Sequence, residues 1–272
     1  MNNLHRALAP ISADAWAELE AEGRRTFERN VAARRLADVP PAGGAELAAV
    51  PTGHLGPLEP PEAGVQARVR LSRSLVELRV PFTVDRSQVD DVERGAKDAD
   101  WQTVKDAARR IAFAEDRAVF EGYQAAGIDG LRACSSNAPV ALPEDPRDYP
   151  EAIARGISAL GLAGVDGPYA LALSASAYEA VSEASDHGYP IREHIARQLD
   201  GGIVWAPAVT GGFLLTTRGG DYTLRLGQDL SIGYLSHDAL EVRLYFQETL
   251  TFLVHTPEAV VPLTPRHATP AR

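Results

Sequence analysis

The sequence predicts an α+β chain built round one long helix and one long strand, with an extended arm that has little core of its own. Three observations predict it. Trp101, Val104, Ala108, Ile111, Glu115 and Ala118 recur at helical spacing within a segment running from about 100 to 126. Over 241–255, Val242, Leu244, Phe246, Leu250, Phe252 and Val254 alternate with Arg243, Tyr245, Gln247, Thr249 and Thr251, and Glu248 alone breaks the apolar row. That is the pattern of a half-buried antiparallel strand. Residues 45–82, by contrast, begin in a stretch rich in Ala, Gly and Pro without a clear period, and hold only short apolar runs thereafter.

The first element in order is a helix over about 12–36. Ser12 suits its N-cap and Asp14 its first turn. Trp16, Leu19, Gly23, Phe27, Val31 and Arg34 form one stripe, and Glu18, Glu22, Arg25 and Arg29 the other face. So narrow a stripe docks onto the chain's own domain or onto a binding partner; both readings stand. Pro40-Pro41 and Gly43-Gly44 end it. The stretches 65–71 and 75–84 read as a hairpin with Ser72-Arg73-Ser74 at its bend. Such an arm cannot offset its own ordering entropy, and a neighbouring subunit is the natural surface for it. The helix over 100–126 would be a spine of about 40 Å, with Gly127 as its stop.

Over 130–226 short helices (150–162, 174–185, 190–199) alternate with short strands (169–173, 203–205, 213–217, 222–226), as in a compact α/β subdomain. Beyond Leu263 the tail reads as flexible.

Bulk composition narrows the function classes. A formal net charge of −10, without a run of clustered Lys and Arg, disfavours nucleic acid and anionic membrane as partners. The one cysteine, Cys134, allows no internal disulfide and fits a reducing compartment. The first ten residues lack the apolar region of a secretory signal, and no stretch is long and apolar enough to span a bilayer, so a cytoplasmic location is expected. No nucleophile elbow or His-x-x-x-His pair is present, and Ser185-Asp186-His187 are chain neighbours that cannot adopt triad geometry. No catalytic residue, metal ligand or cofactor is therefore expected.

An ordered series of segments carries a resemblance. It includes Ala33-Arg34-Arg35 with Asp38-Val39, Asp90-Asp91-Val92-Glu93-Arg94-Gly95, Phe120-Glu121-Gly122-Tyr123 and Gly164-Val165-Asp166-Gly167-Pro168-Tyr169. It continues through Asp186-His187-Gly188-Tyr189-Pro190, Arg218-Gly219-Gly220-Asp221, the run 226–234 and Glu248-Thr249-Leu250-Thr251-Phe252. In these the chain resembles the encapsulins, the linocin-type family, in their actinobacterial branch.

The resemblance implies the tailed-phage major capsid protein fold. Residues 1–44 would be the N-terminal arm and helix, 45–82 the E-loop, 83–129 and 227–263 the P-domain, 130–226 the A-domain and 264–272 a flexible tail. It implies a large closed icosahedral homo-oligomer that recruits a cargo enzyme through a C-terminal targeting peptide. The cargo would be a dye-decolorizing haem peroxidase or a ferritin-like protein. Phe27, Val31, Arg34 and Asp38 on the helix side, with Asp229, Leu230, Ser231 and Ile232 on the strand side, would bind that peptide. Ser185, Asp186, His187, Gly188 and Tyr189 would line a five-fold pore. The family's older naming leaves a bacteriocin-like or proteolytic enzyme as one alternative, which lacks a nucleophile–base pair. A phage capsid subunit is the other, which an acidic chain suits poorly.

Overall fold

The computed structural model describes residues 3–265. In chain order its first elements are α1 (Ala13–Asn30), β1 (Ala49–Leu58), β2 (Ala67–Ser74), β3 (Val76–Asp85), α2 (Arg86–Glu93) and α3 (Gln102–Phe120). There follow α4 (Gly130–Cys134), β4 (Val140–Leu142), α5 (Tyr149–Leu162), β5 (Tyr169–Leu173), α6 (Ala175–Glu183), β6 (Ser185–Asp186), β7 (Tyr189–Pro190) and α7 (Ile191–Ala196). The last are β8 (Ile203–Trp205), β9 (Gly212–Thr216), β10 (Tyr222–Leu226), β11 (Ser231–His237), β12 (Glu241–Val254) and β13 (Val260–Pro265).

Ser12 caps α1, its hydroxyl accepting the Ala15 amide at 3.3 Å. The helix stops at Asn30, six residues before the expected end. The Asn30 side chain donates to the Thr26 carbonyl at 2.7 Å, and Val31 turns extended. Asp116 on α3 then takes the amides of Ala32 and Ala33 at 3.0 and 2.9 Å, which draws 31–35 into a separate short turn. Along its buried stripe Gly23 lets α1 approach closely, since a Cβ there would sit 2.6 Å from the Phe246 ring.

The arm is built differently from the expectation. β2 pairs antiparallel with β1, and β3 pairs over ten positions with β12. Ser72-Arg73-Ser74 is therefore not a bend: only Leu75 separates β2 from β3, and the chain runs from the arm into the central sheet. β1 escaped the sequence reading because Pro51, Gly53, Gly56 and Pro57, with a register shift between Pro51 and Leu55, erase its alternation.

α3 is also shorter than predicted, about 28 Å. Gly122 ends it at φ 94, where a Cβ would meet the Asp129 carbonyl at 2.5 Å. β12 was expected to be half-buried, but β3 flanks it on one side and β11 and β10 on the other, and Tyr245, Gln247 and Thr251 of its supposed outer row are buried.

Over 130–226 the expected strands are present, though two assignments change. β10 belongs to the central sheet with β12, and β13 belongs to the outer five-stranded sheet of order β4-β13-β9-β5-β8. Thr264 and Pro265 thus lie in a strand, contrary to the tail expected over 264–272; the remainder of that tail lies outside the described residues.

Two apolar cores result. One gathers α1, α2, the first half of α3, β3 and the Phe246 end of β12; the other fills the outer subdomain and takes in Val119, Phe120, Leu250 and Phe252. Between them lies a buried polar layer of Glu115, Asp116, Gln247 and Glu248.

Candidate functional site

A groove of about 390 Å³ opens between α1 and the segment leading into β11. Phe27, Ile232 and Phe246 make its floor, Leu230 and Ser231 one wall, and Glu20, Arg24, Glu28 and Asp229 its rim. Phe27, Ile232 and Phe246 are 2%, 3% and 1% exposed, so each shows the groove little more than an edge. Leu230 is the half-buried apolar side chain left to meet an occupant.

Arg34 closes one end. Its guanidinium lies 4.6 Å above the Phe27 ring, donates to Asp229 Oδ1 at 2.7 Å, and reaches inward to Glu115 Oε2 at 2.7 Å and Glu248 Oε2 at 3.1 Å. Burial alone would lower the Arg34 pKa. The hydrogen bond to Glu115, with the charges of Glu115, Glu248 and Asp229, outweighs it and holds the value above the ordinary range. Asp229 in turn accepts the Leu230 amide at 2.7 Å, and its carbonyl accepts the Ser231 hydroxyl at 2.7 Å, which fixes the wall.

Six of the eight expected peptide-contacting residues thus meet here: Phe27, Arg34, Asp229, Leu230, Ser231 and Ile232. Val31 does not; it is 3% exposed and packs inward behind the α1 terminus. Asp38 lies elsewhere, because its backbone bridges to β10 and its carboxylate accepts the Gly220 amide at 2.6 Å. Glu20, Arg24, Glu28 and Phe246 are groove residues that sequence reasoning missed. The signal for the first three was their spacing, since Glu20, Arg24 and Glu28 recur every four residues beside Phe27.

The expected pore segment is a hairpin. β6 and β7 pair through Ser185↔Pro190 and Asp186↔Tyr189. His187 and Gly188 take φ 46 and φ 82, the left-handed pair that a two-residue turn of this hand requires. The His187 side chain is 98% exposed and stands 3.7 Å from the Asp186 carboxylate. Tyr189 is held by an edge-on contact with His194 and by Arg197 over its ring.

Among the described residues no cluster of three metal-ligating side chains occurs, and no helix is long and apolar enough to cross a membrane. Burial and the Asp129 charge push the Cys134 thiol up, the opposite of an activated nucleophile.

Residues 1–251 match the family model Linocin_M18, described as an encapsulating protein for peroxidase. The type 1 encapsulin shell protein of Rhodococcus erythropolis is 65% identical over 263 residues, covering 97% of this chain and 100% of its own. That of Mycobacterium tuberculosis is 59% identical over 264 residues, with the same coverage of both chains. Among solved structures, a virus-like particle from Pyrococcus furiosus superposes with a TM-score of 0.64 at 16% identity, covering 90% of this chain and 98% of that one. Mycobacterium phage Bobi gives a TM-score of 0.55 at 17% identity, covering 89% and 91%. The fold is that of tailed-phage capsid proteins.

Proposed function

The chain belongs to the family of encapsulating proteins for peroxidase, and from that membership we propose that it is the subunit of a closed icosahedral compartment whose groove receives the C-terminal targeting peptide of its cargo. It is a shell protein and not an enzyme. The observation that carries the reading is identity of 59–65% over 97% of the chain with proteins named as shell proteins.

The cargo is proposed to be a dye-decolorizing haem peroxidase, with a ferritin-like protein second, and the compartment to stand in the cytoplasm. The β1–β2 arm joins copies, the central sheet of β3, β10, β11 and β12 with α3 forms the wall, and the outer subdomain, completed by β13, reaches the shell axes. There the hairpin of Ser185, Asp186, His187, Gly188 and Tyr189 lines a pore. An extended peptide suits the groove: apolar side chains meet Leu230 and the floor edges, while its polar groups face Arg34 and Asp229.

The test uses co-expression with a dye-decolorizing peroxidase that keeps its own C-terminal extension. Phe27→Asp would bury a charge at a position 2% exposed and disturb folding as well as binding. Leu230→Asp is the cleaner change. Negative-stain images should show uniform particles for both wild type and variant, filled for the first and hollow for the second. Particles of Leu230→Asp loaded like wild type would remove the groove from cargo binding. Small oligomers from the wild type would remove the shell.

A further inference from the structure

The end of the groove is wired to a buried site that peptide contact does not require. Glu115 on α3 and Glu248 on β12 are both 0% exposed, and a single guanidinium, Arg34, serves the two while also reaching Asp229 at the surface. Two buried carboxylates against one shared cation leave a negative charge in the interior with no partner. Glu248 Oε1 has no hydrogen-bond partner among the described residues, and Oε2 of Glu115 and Oε2 of Glu248 crowd onto the same Arg34 Nη2, at 2.7 and 3.1 Å. Two buried carboxylates crowded onto one cation repel each other when both are charged, which favours a proton on one of them.

The surroundings act the same way. β3 places apolar Leu78 opposite Glu248, and α1 contributes the Phe27 ring. The charged groups facing the pair are Arg34, Asp229 and, next along α3, Asp116 with Arg35 beyond it. Burial first, and the Glu115 charge second, hold the Glu248 carboxyl well above the usual range against the opposing pull of Arg34.

We propose that Arg34, Glu115 and Glu248 form a proton-held latch: while the carboxyl pair keeps its proton, the turn 31–35 and the Arg34–Phe27 end of the groove stay closed, and release of that proton to solvent loosens both. The latch stands on this geometry alone. Its use, pH-dependent peptide retention, rests on the groove being the cargo site.

Hydrogen exchange of the 27–36 segment in assembled shells, corrected for intrinsic rate from about pH 6 to about pH 9, reads the latch without any cargo. Protection should fall by up to about tenfold per pH unit once the pair titrates, the limit for one linked proton. Glu248→Gln should abolish the step. Asp116→Asn, which removes the neighbouring titratable group, should keep it. A flat wild-type profile overturns the latch, as does a Glu248→Gln profile that follows wild type or an Asp116→Asn profile without a step. If Glu248→Gln does not assemble, Glu115→Gln takes its place, and the wild-type and Asp116→Asn profiles still decide. Peroxidase retention across the same range separates the two readings. A step in exchange without a change in retention leaves the latch and discards its coupling to a peptide in the groove; a change in retention without a step discards the latch.

Discussion

Asp116 is the residue on which the end of α1 depends. Its Oδ1 takes the Ala32 and Ala33 amides, and burial pushes its carboxyl up to about 7 although both amides favour the charged form. A carboxyl raised by folding contributes most below its unfolded value of 3.8, and the contribution is lost as pH rises through about 7. Asp116→Asn keeps an acceptor but points an amide donor where Oδ2 meets the Ala32 amide, a mismatch costing about 1–3 kcal/mol. Melting curves should therefore show the variant further below wild type at about pH 5 than at about pH 8; a gap that widens with pH would refute this. The two polar residues that matter most were visible in the sequence without being understood. Glu115 sat on the apolar stripe of the spine helix, and Glu248 alone broke the apolar row of the long strand. A charge on each of two otherwise buried faces calls for a partner, and Arg34, on a third stripe, is that partner.

Among elements, the β1–β2 ribbon stands out because nothing among the described residues covers it. Leu55, Leu58, Val65, Val69 and Leu71 of this arm are 42–57% exposed. A two-stranded ribbon is at best marginal alone. Here its base is tied down by Arg73, which donates to the Gly127 carbonyl at 3.0 Å and the Asp129 carboxylate at 3.1 Å. Val69→Glu adds a charge at a position already 44% exposed, so the subunit should lose no more than about 0.5 kcal/mol of stability. Size-exclusion chromatography should nonetheless find it in small species, because a neighbouring copy would have to bury that charge; full-size particles at wild-type yield would show the apolar face is not a contact. The arm was legible as an element without a core, but its strand pairing was not. Pairing is a long-range choice, and β3 follows ten partners on β12 rather than its sequence neighbour. The spine helix was legible in type and overlong, since Gly122, not Gly127, is the residue pressed against another backbone.

At the scale of the whole molecule, the capsid fold turns single side chains into rings. The His187 tip, 98% exposed beside the Asp186 carboxylate, gains meaning only when copies surround an axis: a ring of such side chains would then narrow the opening and set its polarity. His187→Ala should speed small-cation entry, measured on intact shells with an internal dye; an unchanged rate would clear His187 of that role. Sequence order revealed the outer subdomain because its helices and strands are short and locally patterned. It did not reveal that β10 leaves that unit or that β13 joins it, as neither exchange marks local composition. The second exchange bears on the timing of synthesis. β13 fills the slot between β4 and β9, so a nascent chain lacking residues 260–265 carries two open strand edges and an outer unit split in two. The outer unit is therefore finished only after the whole central sheet has been translated, and chains still on the ribosome are poor substrates for assembly.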